Sequence, residues 1–263
     1  MVAELTYKKL KKIYNLVGER RGWDFSKIRG EKEEFPWDYG KVILKYLKPS
    51  DKVLDIGTGG GEFFINLAPN FSKGTGIDFD SEMIKTAKEN LPENLKNKIS
   101  FKIMGAEKLD FSEGSFDFVI NRHAPIYPEE IDKVLRGRGY FITQQVGGNN
   151  SQNINDTFGW PSNGEYWEKF YKNKGEPSQA MENVIKRFIS LNFELIHKEN
   201  AKIKYWFKDI ESLVFWLKSV PLPENLNLRK HWKKVARVVE KYSTPKGIQT
   251  IQHRQVMIVR KTR

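Results

Sequence analysis

The stretch Lys52-Val53-Leu54-Asp55-Ile56-Gly57-Thr58-Gly59-Gly60-Gly61-Glu62-Phe63 constrains the fold more than any other part of the chain. A short apolar run ends in an acid, glycines follow at 57, 59 and 61, and a helix-like segment comes next. This is a strand feeding a turn whose backbone comes close to a ligand. Glycine is needed there because a Cβ would block the approach or forbid a positive φ. Asp78 follows Gly57 by 21 residues and ends a second strand-like run, Thr75-Gly76-Ile77-Asp78. A carboxylate at that place is set to hold two ribose hydroxyls. Turn and carboxylate together mark a site for a nucleoside-bearing cofactor.

The charges around the turn separate the cofactor classes. A dinucleotide pyrophosphate requires G-x-G-x-x-G and no negative charge nearby. Here Glu62 stands where the third glycine would fall, and Asp55 precedes the turn. Such carboxylates repel a pyrophosphate but suit a ligand carrying a sulfonium and an ammonium. The stretch resembles motif I of class I S-adenosylmethionine-dependent methyltransferases, V-L-D-x-G-x-G-x-G. Gly76-Ile77-Asp78-Phe79-Asp80-Ser81-Glu82-Met83-Ile84 is similar to the family's G-x-D-x-S-x-x-M-L stretch, and the likeness is to the type 11 group. The resemblance spans residues 35–146.

The resemblance implies a Rossmann-like, doubly wound α/β fold with a mostly parallel seven-stranded sheet whose last strand is antiparallel. It implies S-adenosylmethionine as cofactor and S-adenosylhomocysteine as product. Asp55 would orient the turn and face the cofactor's ammonium. Gly57, Thr58 and Gly59 would make the closest backbone approach, and Gly61 would permit tight strand–helix packing. Asp78 would accept from the ribose, and Phe79 would pack against adenine. The family carries Asp-Ala after its third strand, whereas this chain has Gly105-Ala106-Glu107. The backbone contact at Ala106 survives, and Glu107 is the candidate substitute for the missing acid.

Ile120-Asn121-Arg122-His123 closes the fourth strand at the methyl-transfer edge. Asn121 is a cofactor contact by backbone or side chain. His123 is the general-base candidate, because an imidazole with an ordinary pKa of about 6.5 suits that role. Tyr127, Gln144, Gln145 and Asn149 are candidate substrate contacts. An N-terminal segment, residues 1–35, is of the kind that closes over the cofactor in this family, which makes Tyr14, Phe35 and the adjacent Trp37 lid candidates, with Tyr14 and Trp37 also candidate substrate contacts.

Strand and helix patterns alternate from 52 to 144 as successive βαβ units. They predict strands at 52–56, 74–78, 99–104, 116–120 and 139–144, with Asp80 capping a helix over 81–90. Residues 147–176 are rich in Gly, Asn and Ser interspersed with aromatics, and read as a substrate-covering insertion. A helix near 181–191 and a strand near 193–197 follow. Helices over 209–220 and 226–242 fall in a second insertion at 200–250, and an apolar strand over 255–260 ends the pattern. The expected organisation is thus a lid, then a methyltransferase domain over 36–263 with insertions at 148–176 and 200–250.

The 263 residues contain no cysteine, which excludes disulfides, thiolate zinc sites and a cysteine nucleophile. No metal site is expected. No apolar run approaches the ~20 residues of a membrane span, and the first residues lack a signal-peptide pattern. A cytoplasmic location is the default expectation.

The net charge of +12 sits on the flanks: residues 198–263 hold 16 basic and 5 acidic side chains. Of the 45 basic residues 33 are Lys, and forked phosphate recognition favours Arg. The leading expectation is therefore methyl transfer to an O or N of a small or medium-sized acceptor. An RNA methyltransferase using the basic segment around Arg229–Lys241 is the runner-up. A non-catalytic S-adenosylmethionine-binding protein is the third reading. The acceptor and the oligomeric state are not legible in the sequence.

Overall fold

In the computed structural model, residues 5–19 and 25–263 are described; residues 1–4 and 20–24 of the expected lid lie outside them. The chain begins with α1 (Tyr7–Leu16), β1 (Gly30–Lys32) and α2 (Tyr39–Leu44). The alternating part follows as β2 (Lys52–Ile56), α3 (Glu62–Leu67), β3 (Lys73–Asp78), α4 (Ser81–Asn90) and β4 (Ile99–Ile103). It continues through β5 (Phe116–Arg122), α5 (Pro128–Val134) and β6 (Leu135–Val146). Then come α6 (Gln152–Phe158), α7 (Asn163–Asn173), α8 (Met181–Ser190) and β7 (Phe193–Phe207). The chain closes with α9 (Ile210–Ser219), α10 (Leu228–Tyr242), β8 (Ser243–Thr244) and β9 (Gly247–Lys261).

Two compact units emerge. One comprises Pro36–Val146, Tyr171–Asn200 and Arg254–Arg263, and its strands follow the order β7-β9-β6-β5-β2-β3-β4. β2 to β6 are parallel, and β9 runs antiparallel to β6, with Phe141 opposite Val259. This is the seven-stranded sheet with an antiparallel last strand that the motifs imply. Period-2 alternation sorts its side chains. Leu54, Val119, Phe141 and Met257 pack one face against α5 and α8. Val53, Phe118, Ile142 and Val256 pack the other against α2, α3 and α4. Each fully buried side chain of this size contributes about 1.5–3 kcal/mol. Local signals fix the helix starts: Asp38 Oδ1 accepts from Lys41 N at 2.8 Å, and Asp80 Oδ1 accepts from Glu82 N at 2.9 Å, as expected for a cap. Pro128 occupies the first turn of α5.

The other unit gathers residues 1–35, 147–170 and 201–253. Its core joins Leu10 and Ile13 of α1, Ile154 and Phe158 of α6, Leu213 and Leu217 of α9, and Val235 and Val238 of α10. β7 and β9 are each 15 residues long, much longer than their sequence patterns suggest, and contribute residues to both units. β1 pairs with the end of β7, and β8 forms a tight hairpin with the start of β9. The Gly- and Asn-rich stretch after β6, read from sequence as a substrate-covering insertion, carries α6 and α7.

Candidate active site

The carboxyl ends of β2, β3, β4, β5 and β6 carry nearly all of the site. After β2 the chain turns through Gly57 (φ 77°), Gly59 (φ 56°) and Gly61 (φ 79°), all left-handed. The amides of Gly57 and Thr58 both donate to the Ile77 carbonyl at 2.9 Å, tying the turn to the end of β3. A Cβ on Gly57 would stand 2.5 Å from the Ala124 Cβ, and one on Gly61 would stand 2.8 Å from the Phe101 ring. Both glycines are packing requirements. Gly59 differs: a Cβ there meets nothing within 4 Å, so the turn opens at this point onto free space.

Asp78 is 7% exposed, and its two oxygens accept from Gly59 N and from Asp80 N, each at 3.0 Å. The carboxylate is thereby fixed at the mouth of the turn, with lone pairs left for ribose hydroxyls. Asp55 is 4% exposed on the α2–α3 face. Burial pushes its carboxyl up to about 7; Asp78 adds to the rise, while Thr58 and Arg122 oppose it. A half-titrated buried acid suits a cationic ligand group, which would restore the anion.

Phe79 and Ile103 are 77% and 60% exposed although both are large and apolar. Asp78 pairs with Ile103 across β3 and β4, so the two side chains flank the same strand ends. The Glu107 carboxylate stands where a side chain on Gly105 would project. An apolar pair beside an acid fits an adenine ring and its amino group. The residues present therefore fit S-adenosylmethionine.

Asn121 is fully buried. Its Nδ2 donates to the Pro125 carbonyl at 3.0 Å, and its Oδ1 accepts from Gln145 Nε2 at 2.8 Å. Gln145 Nε2 also lies within bonding distance of Ala124 O and Thr143 Oγ1. Both side chains thus brace the loop after β5, leaving Asn121 only its backbone for a cofactor. The Trp37 indole donates to Gln144 Oε1 at 2.8 Å. Tyr127 donates to Glu176 at 3.1 Å, and burial with that neighbouring carboxylate raises the phenol above its ordinary value. His123 has φ 68°. Desolvation, then the charges of Arg254 and Arg122, lower its imidazole to about 3.

Trp37, Gln144, Gln145 and Tyr127 thus lie in the same unit as the turn. Tyr14 and Asn149 belong to the other unit. Tyr14 donates to the Leu226 carbonyl at 3.4 Å beneath the Lys218 ammonium, and Asn149 N donates to His253 Nδ1 at 3.1 Å.

Sequence reasoning missed Tyr39, Ile103, Arg122 and Arg254. The buried Tyr39 hydroxyl lies 2.9 Å from the Asn121 carbonyl and 3.1 Å from that of Ile142, holding β5 beside β6. For Ile103 the signal was available, since an apolar residue ends a strand where only ligand could cover it. Arg122 lies over the Phe63 ring at 5.4 Å.

A family profile described as a methyltransferase domain matches residues 47–209. The uncharacterised methyltransferase YcgJ of Bacillus subtilis is 31% identical over 85 residues, 32% of this chain and 34% of that protein. The ribosomal protein L11 methyltransferase of Dictyoglomus thermophilum is 32% identical over 112 residues, 40% of this chain and 36% of that protein. The chain thus spans about a third of the length of these relatives. The structure of a proposed methyltransferase from Bacillus halodurans C-125 superposes with TM-score 0.59 at 17% identity, covering 86% of this chain and 99% of that one. At that identity the likeness is one of fold. The profile covers well over half of the residues and agrees with the geometry of the turn, and on that ground the chain belongs to the S-adenosylmethionine-dependent methyltransferase family of class I fold.

Proposed function

We propose that the protein transfers a methyl group from S-adenosylmethionine to an oxygen or nitrogen of a small or medium-sized acceptor. One observation carries this reading: the turn at Gly59, whose amide donates to Asp78, opens onto free space, and Phe79 and Ile103 at the neighbouring strand ends are exposed. When bound, S-adenosylmethionine supplies an electrophilic methyl group. Asp78 holds the ribose and Asp55 the ammonium. Phe79, Ile103 and Glu107 hold the adenine, Glu107 replacing the acid absent at Gly105. Positioning is the main work, since effective molarities of about 10⁵–10⁸ M come from alignment alone.

The low pKa of His123 bears on its expected role. A group lowered to about 3 is neutral at physiological pH and a weak base, because desolvation first, and then the charges of Arg254 and Arg122, oppose its protonation. In this reading His123 accepts a hydrogen bond from the acceptor and orients it, and the displaced proton leaves to solvent.

Calorimetric titration with S-adenosylmethionine and S-adenosylhomocysteine, with NAD⁺ as control, tests the cofactor half of the proposal. Micromolar binding of the first two alone is the expected result; binding of neither overturns it. Mass-spectrometric detection of methylated products across amine, phenol and carboxylate acceptors then tests the reaction.

The RNA reading rests on α10, where Arg229, Lys230, Lys233, Arg237 and Lys241 are exposed opposite a buried Val235, Val238 and Val239 stripe. That pattern equally describes a solvated face over a core, so the small-acceptor reading is preferred.

A further inference from the structure

The loop that leaves β5 breaks the strand ladder, because His123 is left-handed and Pro125 has no N–H to donate. Past the His123 amide, which donates to the Gln144 carbonyl at 3.0 Å, side chains hold it. Three successive carbonyls each face a carboxamide. Gln145 Nε2 lies 3.1 Å from Ala124 O, Asn121 Nδ2 donates to Pro125 O at 3.0 Å, and Gln179 Nε2 donates to Ile126 O at 3.0 Å. Asn121 and Gln145 come from β5 and β6. Gln179 comes from the connection between α7 and α8, 53 residues beyond the loop residue it holds.

Gln179 also grips Ile126 from the other side, since its Oε1 accepts from Ile126 N at 2.7 Å. One carboxamide thus pairs with both backbone groups of one residue, as a peptide of a neighbouring strand would. Ile126 is 2% exposed and packs in the same core as Ile131 and Val184, where unpaired backbone groups are costly. Gln179 itself stands on fixed ground: α8 starts at Met181 and buries Met181, Val184, Ile185 and Phe188. The next loop residue is tied to the same connection, because Tyr127 donates to Glu176 at 3.1 Å.

This loop forms a wall of the cofactor turn. A Cβ added to Gly57 would lie 2.5 Å from the Ala124 Cβ, so the loop packs directly on the first glycine. Movement of Ile126 would carry Ala124 away from that glycine. We propose that Gln179 is a positioning residue for the cofactor: by pairing with both backbone groups of Ile126 it seats Ala124 against Gly57, and so fixes the turn that S-adenosylmethionine meets. The proposal rests on the methyl-transfer reading and adds to it a residue remote from the sequence motifs. Gln179 acts through Ile126, not by touching the cofactor.

The test is calorimetric titration with S-adenosylhomocysteine, joined to hydrogen exchange at the Ile126 amide. Q179M keeps the length of the side chain and removes both bonds. It should weaken S-adenosylhomocysteine binding about tenfold and speed exchange at Ile126 about 100-fold. S178A alters the same connection, where Ser178 Oγ accepts from Ala180 N and Asn183 Nδ2, and should leave affinity within about twofold. Q179E supplies a rescue that packing alone does not predict. At pH 8 its carboxylate faces the Ile126 carbonyl without a proton to donate, and affinity should match that of Q179M. A carboxyl titrates at about 4.3 in water and higher when buried, so at pH 5 the protonated acid donates again. Its affinity relative to wild type at the same pH should then recover to within about threefold. Unchanged affinity or unchanged Ile126 exchange in Q179M overturns the proposal, as does an equal loss in S178A. A ratio of Q179E to wild type that is the same at both pH values also overturns it, and decides the matter if Q179M does not fold. Absence of S-adenosylhomocysteine binding to wild type would instead refute the methyl-transfer reading.

Discussion

Replacing Asp55 by Asn keeps the shape of the side chain and removes its charge. The Asp55 carboxyl moves from 3.8 in the unfolded chain to about 7 in the folded one, chiefly by burial. A folded value above the unfolded one gives stability that is present below pH 4 and lost as the pH rises through about 7. Integrating between those two values gives a loss of about 1.7 kcal/mol at pH 5 and about 4 kcal/mol at pH 8. The asparagine carries none of it. In urea unfolding without ligand, D55N should therefore gain about 2.5 kcal/mol on wild type between pH 5 and pH 8, whatever constant offset the substitution adds. The same variant should bind S-adenosylmethionine at least tenfold more weakly. In wild type, the cofactor's ammonium should pull the Asp55 value down and release a proton near pH 7. Calorimetry in buffers of different ionisation enthalpy would detect it. A stability difference between D55N and wild type that is the same at both pH values would refute the buried-acid argument.

Four further outcomes are expected. D78A loses the acceptor of the Gly59 and Asp80 amides along with the ribose contacts, so S-adenosylmethionine affinity should fall about 100-fold; unchanged affinity by calorimetry would displace the cofactor from this turn. G57A places a Cβ against Ala124 at positive φ and should cost about 3 kcal/mol of stability. G59A has free space around its Cβ and should cost only about 1 kcal/mol, yet reduce S-adenosylhomocysteine affinity tenfold; melting curves and calorimetry on the pair separate the two roles. E107A should weaken cofactor binding and G105D/E107A should restore it, because an aspartate at 105 can project only once the Glu107 carboxylate is gone. RNA binding through α10 predicts an affinity falling by about 10³ or more between 50 and 200 mM salt; anisotropy that is salt-insensitive removes that reading.

The glycines at 57, 59 and 61, the acid at 78 and the strand pattern from 52 to 144 are local signals. Each is imposed by its own backbone or by the ligand it faces, so each is legible in the sequence. Tyr39 and Arg254 are not, because their positions depend on register across strands far apart in the chain. Nor does the sequence reveal that α1, α6, α9 and α10 share a core. A stripe such as Val235, Val238 and Val239 shows that a helix is covered, but not by what. The lengths of β7 and β9 escape for a related reason. His197, Glu199 and Lys204 on β7 and Arg254 on β9 interrupt the apolar pattern, and backbone pairing carries the strands past them.

The placement of charge along the carboxyl edge of the sheet links cofactor to acceptor. Asp55 and Asp78, on β2 and β3, make the cofactor side negative, and one of them is strained enough by burial to welcome a cation. Arg122 and Arg254, on β5 and β9, carry positive charge farther along that edge, and they add to the desolvation that holds His123 neutral. Methyl transfer removes positive charge from sulfur and delivers it to the acceptor. A fixed gradient from acid to base across that path would favour the sulfonium before transfer and oppose a cationic product after it. Orientation alone would leave transfer rates indifferent to the acceptor's charge; with this gradient, adding a positive charge to an acceptor should lower kcat as well as raise KM.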